Sequence, residues 1–358
     1  MKILFTISQL GGGGAERVVS LLSAQLAKRG HEVSVVTWFD VPAVYSLPPS
    51  VKHIELHCPN NHTTGPWIQL ARLRRVFKQE KPDIIFSFLV VVNMFSILAH
   101  LGLSGKLIVS ERNDPNQNPR RSWMRFLRNL LYRLADGFVF QTPDAKNYFV
   151  PSIQARSTVI ANPLSSTLPE AFVGSRKPVF VTAVRLAPQK NLPMLIRAFV
   201  RLHKNFPSYT LEIYGEGPQK EALQQLISSL SANNFIFLKG FSKNLYADIQ
   251  ASTAFVLPSN YEGLSNSMIE ALALGIPVIS TDHPIGGARM LIKHQENGLL
   301  TPVEDEDALY QAMLYVTEHP QDADKMGQNA FKIRDILSLH KISDQWEQYA
   351  KAIVENKI

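Results

Sequence analysis

Two carboxylates eight residues apart, Glu262 and Glu270, are the residues of this chain whose setting most suggests chemistry. Glu262 lies in a loop rich in Gly, Ser and Asn, and Glu270 lies within the helix that is predicted to follow it. A helix N-terminus attracts phosphate through its exposed N–H groups and its partial positive charge. Flanking carboxylates can accept hydrogen bonds from sugar hydroxyls. The arrangement therefore suits a nucleotide sugar, although a glutamate near the start of a helix is also electrostatically favourable without a ligand.

A second candidate loop, residues 185–190, carries two cations between a predicted strand and a predicted helix. Arg185 can bind a diphosphate bidentately, and Lys190 can bind it as a point charge. A tight turn containing Gly215 and Gly217 follows the next predicted strand and falls at the same edge of the sheet. This edge is predicted to hold the diphosphate of the ligand, although a solvated loop would also contain Arg and Lys.

The first predicted strand ends in a glycine-rich loop, residues 9–17, which contains Gly13, Gly14 and Arg17. Consecutive glycines permit a close approach of the backbone, and the helix N-terminus behind them favours an anion. The loop lacks the G-x-G-x-x-G pattern, and Asp40 lies too far along to be the acidic residue that ends the second strand. A dinucleotide site is therefore disfavoured, and a flexible strand–helix turn is the alternative.

Short apolar segments alternate with helical patterns along the whole chain. Strands are predicted at residues 3–7, 33–36, 82–86, 106–110, 137–140, 157–160, 178–184, 210–214, 235–238, 254–257 and 276–280. Such alternation indicates parallel sheets with helices on both faces, and ligands bind these sheets at the carboxyl ends of their strands. A Pro- and Ser-rich break at residues 162–169 divides the pattern into two Rossmann-like units.

Length and composition favour a folded protein of two domains. The 358 residues exceed a single typical core, and 45% hydrophobic with 19% charged residues is ordinary for a soluble chain. The single cysteine, Cys58, excludes an internal disulfide and fits a reducing compartment. No apolar run reaches the roughly 18 residues that a membrane-spanning helix needs. The N-terminus is predicted to be the first strand rather than a signal peptide.

The charge of the chain is unevenly distributed. Residues 1–163 contain 19 Lys and Arg against 10 Asp and Glu, whereas the remainder contains 18 against 20. A basic half indicates an anionic partner such as phosphate, nucleic acid or anionic lipid. Residues 119–133 form a basic amphipathic pattern that is typical of a helix at a membrane surface. An ordinary packed helix, whose apolar stripe belongs to the core, is the alternative. The candidate membrane contacts are Arg120, Arg121, Trp123, Arg125 and Arg128.

The order of these loops resembles the family 4 retaining glycosyltransferases of GT-B fold. The resemblance covers essentially the whole chain and rests on five motifs in the family's order. They are Gly-Gly-Ala-Glu-Arg17, Arg185 with Lys190, Gly215-Glu-Gly-Pro218, Glu262 with Glu270, and Asn297-Gly-Leu-Leu300. It implies an α/β fold of two Rossmann-like domains facing each other across a cleft. Residues 1–163 would bind the acceptor, and residues 164–341 would bind the nucleotide sugar. A C-terminal helix, about residues 342–358, would return to the first domain.

The resemblance also implies roles for individual residues. Arg185 and Lys190 would hold the donor pyrophosphate and stabilise the charge of the leaving group, and Glu262 would contact hydroxyls of the transferred sugar. Glu270 would bind the ribose hydroxyls. The remaining donor contacts would be backbone groups of Gly13, Gly14, Gly215, Gly217, Leu264 and Ser265. Because the family uses cations and helix dipoles where other transferases use a metal, no metal and no other cofactor is expected.

Two positions depart from the family pattern. Many members have a His near the sugar, in the loop where this chain has Arg112 beside Glu111. Arg does not act as a base at neutral pH, Glu111 is a weak candidate for one, and retention needs none if the donor phosphate takes the acceptor proton. Met290 stands where the family often has Glu, which directs attention to Arg289 as a phosphate ligand. Arg17 is a further candidate near the acceptor.

The protein is expected to transfer a hexose or N-acetylhexosamine, with retention, from a nucleotide-diphosphate sugar to a saccharide acceptor. A UDP-sugar is expected as the donor in preference to a GDP-sugar. The acceptor is expected to be linked to a polyprenyl diphosphate, as in assembly of lipopolysaccharide and other surface glycans. The enzyme is expected in the cytoplasm, at the inner face of the cytoplasmic membrane. A GT-B nucleotide-sugar epimerase is the alternative enzyme. A nucleic-acid-binding protein is disfavoured because no recognisable module is present, and no nucleic-acid partner is expected.

Overall fold

The chain consists of two compact α/β units. The computed structural model describes residues 1–58, 65–165 and 167–357. One unit comprises Met1–Ser165 with Leu337–Ile358, and the other comprises Ser166–Ile336. The C-terminal segment is therefore part of the first unit, although the whole second unit precedes it in the chain.

The first unit is built on a parallel sheet of seven strands in the order β3-β2-β1-β4-β5-β6-β7. The order reverses between β1 and β4, which makes the loops after these strands the expected ligand position of a doubly wound sheet. The strands are Lys2–Ile7 (β1), Glu32–Phe39 (β2), Val51–Cys58 (β3), Ile84–Phe88 (β4), Lys106–Ser110 (β5), Gly137–Phe140 (β6) and Ser157–Val159 (β7). All of these except β3 correspond to strands predicted from the sequence.

The second unit contains a parallel sheet of six strands in the order β10-β9-β8-β11-β12-β13. Its order reverses between β8 and β11, so the loops after these two strands meet at the switch point. These are the loops that carry Lys190 and Glu262. The strands are Lys177–Ala183 (β8), Thr210–Tyr214 (β9), Ile236–Gly240 (β10), Ser252–Leu257 (β11), Val278–Thr281 (β12) and Leu299–Thr301 (β13).

Helices connect the strands and cover the sheets. In the first part of the chain they are Gly14–Lys28 (α1), Pro66–Glu80 (α2), Val90–His100 (α3), Ser122–Tyr132 (α4), Pro143–Asn147 (α5) and Pro151–Gln154 (α6). They continue as Leu192–Asn205 (α7), Lys220–Ser229 (α8), Leu245–Ile249 (α9), Asn266–Ala273 (α10), Gly287–Leu291 (α11), Glu306–Glu318 (α12), Pro320–Phe331 (α13), Ile333–Leu337 (α14) and Leu339–Val354 (α15). No helix among the described residues is long and apolar enough to cross a membrane.

The last helix, α15, completes the core of the first unit. The ring of Trp346 is fully buried and lies 5.0 Å from the ring of Phe86 and 5.6 Å from that of Phe88, on the central strand β4. Tyr349 contacts β6, where its hydroxyl accepts a hydrogen bond from Phe138 N at 2.9 Å. Burying such large aromatic side chains stabilises the fold by about 2 kcal/mol or more each.

Candidate active site

The loops after β8 and β11 bring two of the predicted catalytic residues together. Lys190 Nζ forms an ion pair with Glu262 Oε1, although 72 residues separate them in the sequence. Glu262 also accepts hydrogen bonds from Ser259 Oγ at 2.9 Å and from Gln189 Nε2 at 3.2 Å. Because Glu262 is 8% exposed, these donors replace the water that its carboxylate would otherwise hold.

Further hydrogen bonds join the same two loops along their length. Asn260 N donates to Gln189 O at 2.9 Å, and Asn191 Nδ2 donates to Asn260 Oδ1 at 2.9 Å. Gln189 Nε2 also donates to Tyr261 O at 2.7 Å. Lys190 and Glu262 are therefore held by one hydrogen-bond network that joins the two loops. Sequence inspection singled out neither Gln189, which lies within the candidate loop 185–190, nor Ser259.

Arg185, the other predicted cation, lies on the surface of this edge. Its side chain is exposed and forms no ion pair or hydrogen bond with another residue in the described part of the second unit. An exposed guanidinium at the carboxyl end of a strand is available for a bidentate contact with phosphate.

The turn with Gly215 and Gly217 holds the Arg185 loop by direct backbone packing. A Cβ atom on Gly215 would lie 2.0 Å from Val184 O, and one on Gly217 would lie 2.4 Å from Leu186 O. Gly215 also has φ +121°, in the left-handed region that favours glycine. Packing alone therefore requires glycine at both positions. Contact of these glycines with the donor stays a prediction.

Helix α10 starts at the same edge, and Ser265 caps it. The side chain of Ser265 accepts a hydrogen bond from Met268 N, which leaves other N–H groups of the first turn directed along the helix axis. Leu264 and Ser265 are 5% and 7% exposed, and Glu270, in the second turn, is 7% exposed. The N-terminal position of Leu264 and Ser265 agrees with the anion site that the sequence predicts, and the roles of all three residues stay predictions.

A buried histidine that the sequence reading missed, His283, lies beside this site. Burial lowers its pKa, and the charge of Glu262 acts in the opposite direction. His283 Nδ1 donates to Pro284 O at 3.1 Å, since a carbonyl can only accept. Gly287, one turn later, packs against Gly263 O, which a Cβ would approach to 2.0 Å. A His-Pro pair that follows Asp282, just beyond the end of β12, was the available signal.

Arg289, on α11, forms an ion pair with the segment that precedes its helix. Its Nε lies 3.1 Å from Asp282 Oδ1 at a partly exposed position. A phosphate would have to compete with Asp282 for this guanidinium, so Arg289 is less available than Arg185.

The chain has two Asp-x-Asp sequences, residues 305–307 and 322–324, and all four of their carboxylates have partners within the protein. Asp305 caps α12 by accepting from Ala308 N at 2.8 Å, and Asp307 pairs with Arg201 at 2.5 Å. Asp322 accepts from Tyr315 Oη at 2.9 Å, and Asp324 pairs with Arg176 at 2.6 Å. Over the residues that the structure describes, no group of three His, Cys, Asp or Glu side chains is placed to hold a metal ion.

In the first unit, the Gly-rich loop leads into α1 through Gly13, the N-cap residue. Glu16 folds back over this position, and a Cβ on Gly13 would meet its carboxylate. Burial raises the pKa of Glu16, a residue that the sequence reading did not consider. Gly14 is exposed and Arg17 is partly exposed, so both lie where a ligand can reach them.

Glu111 and Arg112, which follow β5, enter different surroundings. Glu111 is buried, and its Oε2 accepts a hydrogen bond from Tyr132 Oη at 3.0 Å. Burial raises the pKa of Glu111 to about 7, against the opposing effect of Arg128. This carboxyl group thus titrates near neutrality, which keeps it a candidate for proton transfer.

The Arg112 guanidinium is enclosed by aromatic rings. It lies 4.8 Å from the centre of the Phe88 ring and 5.3 Å from that of Trp346, and its Nη1 donates to Asn162 Oδ1 at 3.0 Å. Its Nε and Nη2 are buried with no hydrogen-bond partner among the described residues. Burial lowers the pKa of Arg112 to about 9, so the group remains a cation at neutral pH.

The predicted basic helix, α4, exposes its apolar side. Trp123 and Phe126 are 58% and 73% exposed, and Leu130 and Leu134 are also exposed. Leu134 lies beyond the end of α4, and we call the other three residues the α4 stripe. The alternative, in which the apolar side belongs to the core, is wrong for these three residues, whereas Leu131 of the same helix is buried. Arg120 and Arg121 are exposed, and Arg125 Nη1 donates to Pro119 O at 3.0 Å.

Arg128 corrects the sequence-based assignment. It was predicted to contact a membrane, but its side chain is fully buried and donates through Nη1 to Pro115 O and Asn118 O at 3.0 and 2.7 Å. The prediction was wrong because Arg128 lies on the side of α4 that faces the protein, opposite the stripe.

Comparison with known proteins identifies the family. Residues 12–167 match the model described as Glycosyltransferase Family 4, and residues 169–333 match that of Glycosyl transferases group 1. A Campylobacter jejuni N-acetylgalactosamine-N,N'-diacetylbacillosaminyl-diphospho-undecaprenol 4-alpha-N-acetylgalactosaminyltransferase is 30% identical, over 88% of this chain and 90% of that protein. The chain belongs to the family 4 glycosyltransferases, and it is a glycosyltransferase enzyme, as the sequence predicted.

A second Campylobacter jejuni relative is 28% identical over 97% of both chains. Its name is GalNAc-alpha-(1->4)-GalNAc-alpha-(1->3)-diNAcBac-PP-undecaprenol alpha-1,4-N-acetyl-D-galactosaminyltransferase.

Solved structures establish the fold. Sucrose-phosphate synthase from Thermosynechococcus elongatus aligns with a TM-score of 0.86 at 18% identity, over 99% of this chain and 100% of that one. HepE from Anabaena, solved in complex with UDP, aligns with a TM-score of 0.81 at 19% identity, over 98% and 100%. The predicted GT-B class, with two parallel-sheet α/β domains, is confirmed.

Proposed function

We propose that this enzyme transfers an N-acetylhexosamine, with retention and without a metal, from a UDP-sugar to a saccharide linked to a polyprenyl diphosphate. The observation that carries the proposal is the ion pair of Lys190 with Glu262, at the strand edge that also bears Arg185 and the start of α10. Two cationic side chains, Arg185 and Lys190, together with one helix N-terminus suit a diphosphate. The neighbouring carboxylate suits sugar hydroxyls.

The donor would be bound by the second unit. Arg185 and Lys190 would hold the diphosphate, with N–H groups of Leu264 and Ser265 at the start of α10. Glu270 would accept hydrogen bonds from the ribose, and Glu262 from the transferred sugar. UDP is proposed over GDP because the structurally similar HepE was solved with UDP. An N-acetylhexosamine is proposed because both Campylobacter relatives are named as N-acetylgalactosaminyltransferases.

Retention would follow because the acceptor attacks the anomeric carbon on the same face from which the leaving group departs. The bond between the anomeric carbon and the diphosphate oxygen breaks, and the acceptor oxygen forms the new bond on that face. The acceptor proton passes to the departing phosphate oxygen, which becomes more basic as the bond breaks. Arg185 and Lys190 would stabilise the negative charge that develops on the diphosphate, so the cations lower the barrier without a metal.

The acceptor would approach the first unit from an anionic membrane at its cytoplasmic face. Helix α3 packs against both α2 and α4, and each exposes apolar side chains, among them Trp67, Val91 and Trp123. Arg120 and Arg121 add positive charge beside the α4 stripe. An exposed apolar surface bordered by Arg binds an anionic bilayer. The two Campylobacter relatives are named for undecaprenol-linked acceptors.

Calorimetry in the presence of EDTA tests the donor assignment. UDP, GDP, ADP and the matching nucleotide sugars are titrated into the wild type, the Glu270→Ala variant and a Glu296→Ala control, whose exposed side chain pairs with Lys293. Binding of UDP and a UDP-N-acetylhexosamine, weakened about tenfold or more only in Glu270→Ala, supports the proposal. Absence of binding by every nucleotide in the wild type overturns it.

Sedimentation with liposomes tests the membrane assignment. Wild type should bind phosphatidylglycerol vesicles at low salt and release them at high salt. Replacing Trp123 and Phe126 together by Ala should abolish binding, while the exposed Phe241→Ala change in the second unit should not. Equal binding by the double variant and the wild type contradicts a role for α4.

A further inference from the structure

A buried arginine connects α4 to the loop that carries Glu111 and Arg112. From its position on α4, Arg128 donates to Pro115 O at 3.0 Å and Asn118 O at 2.7 Å. Its Nη1 also lies 4.0 Å from Glu111 Oε2. One side chain thus contacts the beginning, the middle and the end of residues 111–118, which we call the β5 loop.

The surroundings of Arg128 hold it in this position. Its guanidinium lies 5.2 Å from the centre of the Tyr148 ring and 5.1 Å from that of Phe149. Tyr132 donates from its hydroxyl to Glu111 and accepts from Asn93 Nδ2 at 3.0 Å. Nη1 is the nitrogen that bonds the β5 loop, and Nη2 is buried with no hydrogen-bond partner among the described residues. The pairing of this buried charge therefore depends on the two loop carbonyls.

The opposite side of α4 is the exposed stripe. At about 100° per residue, Arg128 lies roughly 140° from Trp123 and 160° from Phe126 around the helix axis. The helix therefore has one side at the surface and one side bound to the β5 loop. A surface that binds the exposed side of α4 would therefore restrain Arg128 and, through Arg128, the β5 loop.

We infer that Arg128 is a positioning residue that transmits membrane docking of α4 to the β5 loop, and so orders the loop that contacts the acceptor. The inference rests on the proposed membrane surface, and on the expectation from the family resemblance that Glu111 and Arg112 lie near the transferred sugar. Docking favours the ordered loop because a fixed α4 holds Arg128 where its carbonyl partners lie. Linkage makes the effect reciprocal, so a ligand that orders the loop strengthens membrane binding.

Hydrogen exchange measured with and without phosphatidylglycerol vesicles tests the inference in the full-length protein. In the wild type, vesicles should slow exchange several-fold in both α4 and the β5 loop. In Arg128→Gln, vesicles should slow α4 alone. The matched control is Arg74→Gln, which also removes two bonds to backbone carbonyls, those of Ala99 and Leu101, but far from the β5 loop in sequence. The control should keep the response of the loop.

The inference is overturned if the β5 loop responds equally in Arg128→Gln and the wild type, or if it fails to respond in the wild type. Arg128→Lys gives the same comparison if the Gln variant does not fold, since Lys keeps the charge but lacks the planar fork. A rise in KM for the lipid-linked acceptor at unchanged kcat and unchanged UDP affinity should accompany the lost response. Failure of UDP to bind the wild type would refute the donor assignment alone, since exchange in the loop does not depend on it.

Discussion

Lys190 and Glu262 form an ion pair that joins the loop after β8 to the loop after β11. Each side chain is mostly buried, with exposed fractions of 14% and 10%. Because removal of either residue leaves the other buried without its partner, we expect Lys190→Ala and Glu262→Ala each to lower kcat/KM by about 100-fold or more. Steady-state transfer assays measure the effect, and circular dichroism should show an intact fold.

A double-mutant cycle makes this prediction more specific. Residues that act as a unit are not additive, so the double Ala variant should be about as impaired as the worse single variant. Lys293→Ala, an exposed lysine of the same unit, should keep normal turnover. Near-normal turnover in either single variant would contradict the assigned roles.

The packing of Gly215 predicts a defect in donor binding. In Gly215→Ala the new Cβ would meet Val184 O at 2.0 Å, so the Arg185 loop has to move. We expect a loss of about 2–4 kcal/mol in the free energy of unfolding and weaker binding of UDP, measured by urea unfolding and calorimetry.

Gly102→Ala separates backbone strain from the clash. Gly102 also has a positive φ, +70°, but no atom lies within 4 Å of its Cβ position. Its replacement should therefore cost only about 1 kcal/mol and leave UDP binding unchanged. If both Ala variants behave alike, close packing is not the reason for Gly215.

We predict that the buried charge of Arg112 lowers the free energy of unfolding of the protein. Burial lowers its pKa to about 9, although the charge of Glu111 acts in the opposite direction. A thioether would also pack on the rings of Phe88 and Trp346 but would carry no buried charge. We expect Arg112→Met to raise the free energy of unfolding by about 1–3 kcal/mol and to reduce transfer. Urea unfolding at pH 7 decides the sign, with exposed Arg120→Met as the control. A less stable Met variant would show that the cation contributes net stability.

The attachment of α15 should depend on pH through Glu347. Hydrogen bonds from Lys351, and also from Arg29 and His31, lower the pKa of Glu347 to about 2 despite partial burial. Its folded pKa is thus below its usual value of 4.5, so its stabilising effect is present above that value and is lost as pH falls towards 2. Glu347→Gln should cost about 1–2 kcal/mol at pH 7.

Thermal melting of wild type and Glu347→Gln at pH 7 and pH 3 measures this effect. The difference in Tm should be clear at pH 7 and narrower at pH 3. A difference that stays constant or widens at low pH would mean that the carboxylate does not titrate in contact with its cations. Exposed Glu355→Gln, at the end of the same helix, should change little at either pH.

The sequence predicted most strands that are continuous apolar runs, but it missed β3 and the three-residue β13, Leu299–Thr301. Val51–Cys58 was missed because His53, Glu55 and His57 remove the simple pattern, which an edge strand paired only with β2 tolerates. Likewise, helical periodicity predicted α4, but periodicity cannot say which side faces the protein. Arg128 was consequently placed with its exposed neighbours.

The candidate site was predicted at the level of loops but not of contacts. Motif order gave Lys190 and Glu262 separately, whereas their pairing depends on the sheet order that places β8 beside β11. His283 belongs to no short motif, and only the folded chain brings it to Glu262. Side-chain partners this distant in sequence follow from topology, which local patterns do not contain.

The burial of Trp346 and Tyr349 against β4 and β6 has a consequence for biosynthesis. A ribosome completes every residue of the second unit before it makes the helix that fills the core of the first. Although the first unit begins the chain, it is the last to be finished. Its apolar interior must wait for α15 during translation, and a fragment ending near residue 165 would lack the aromatic side chains on which that interior closes.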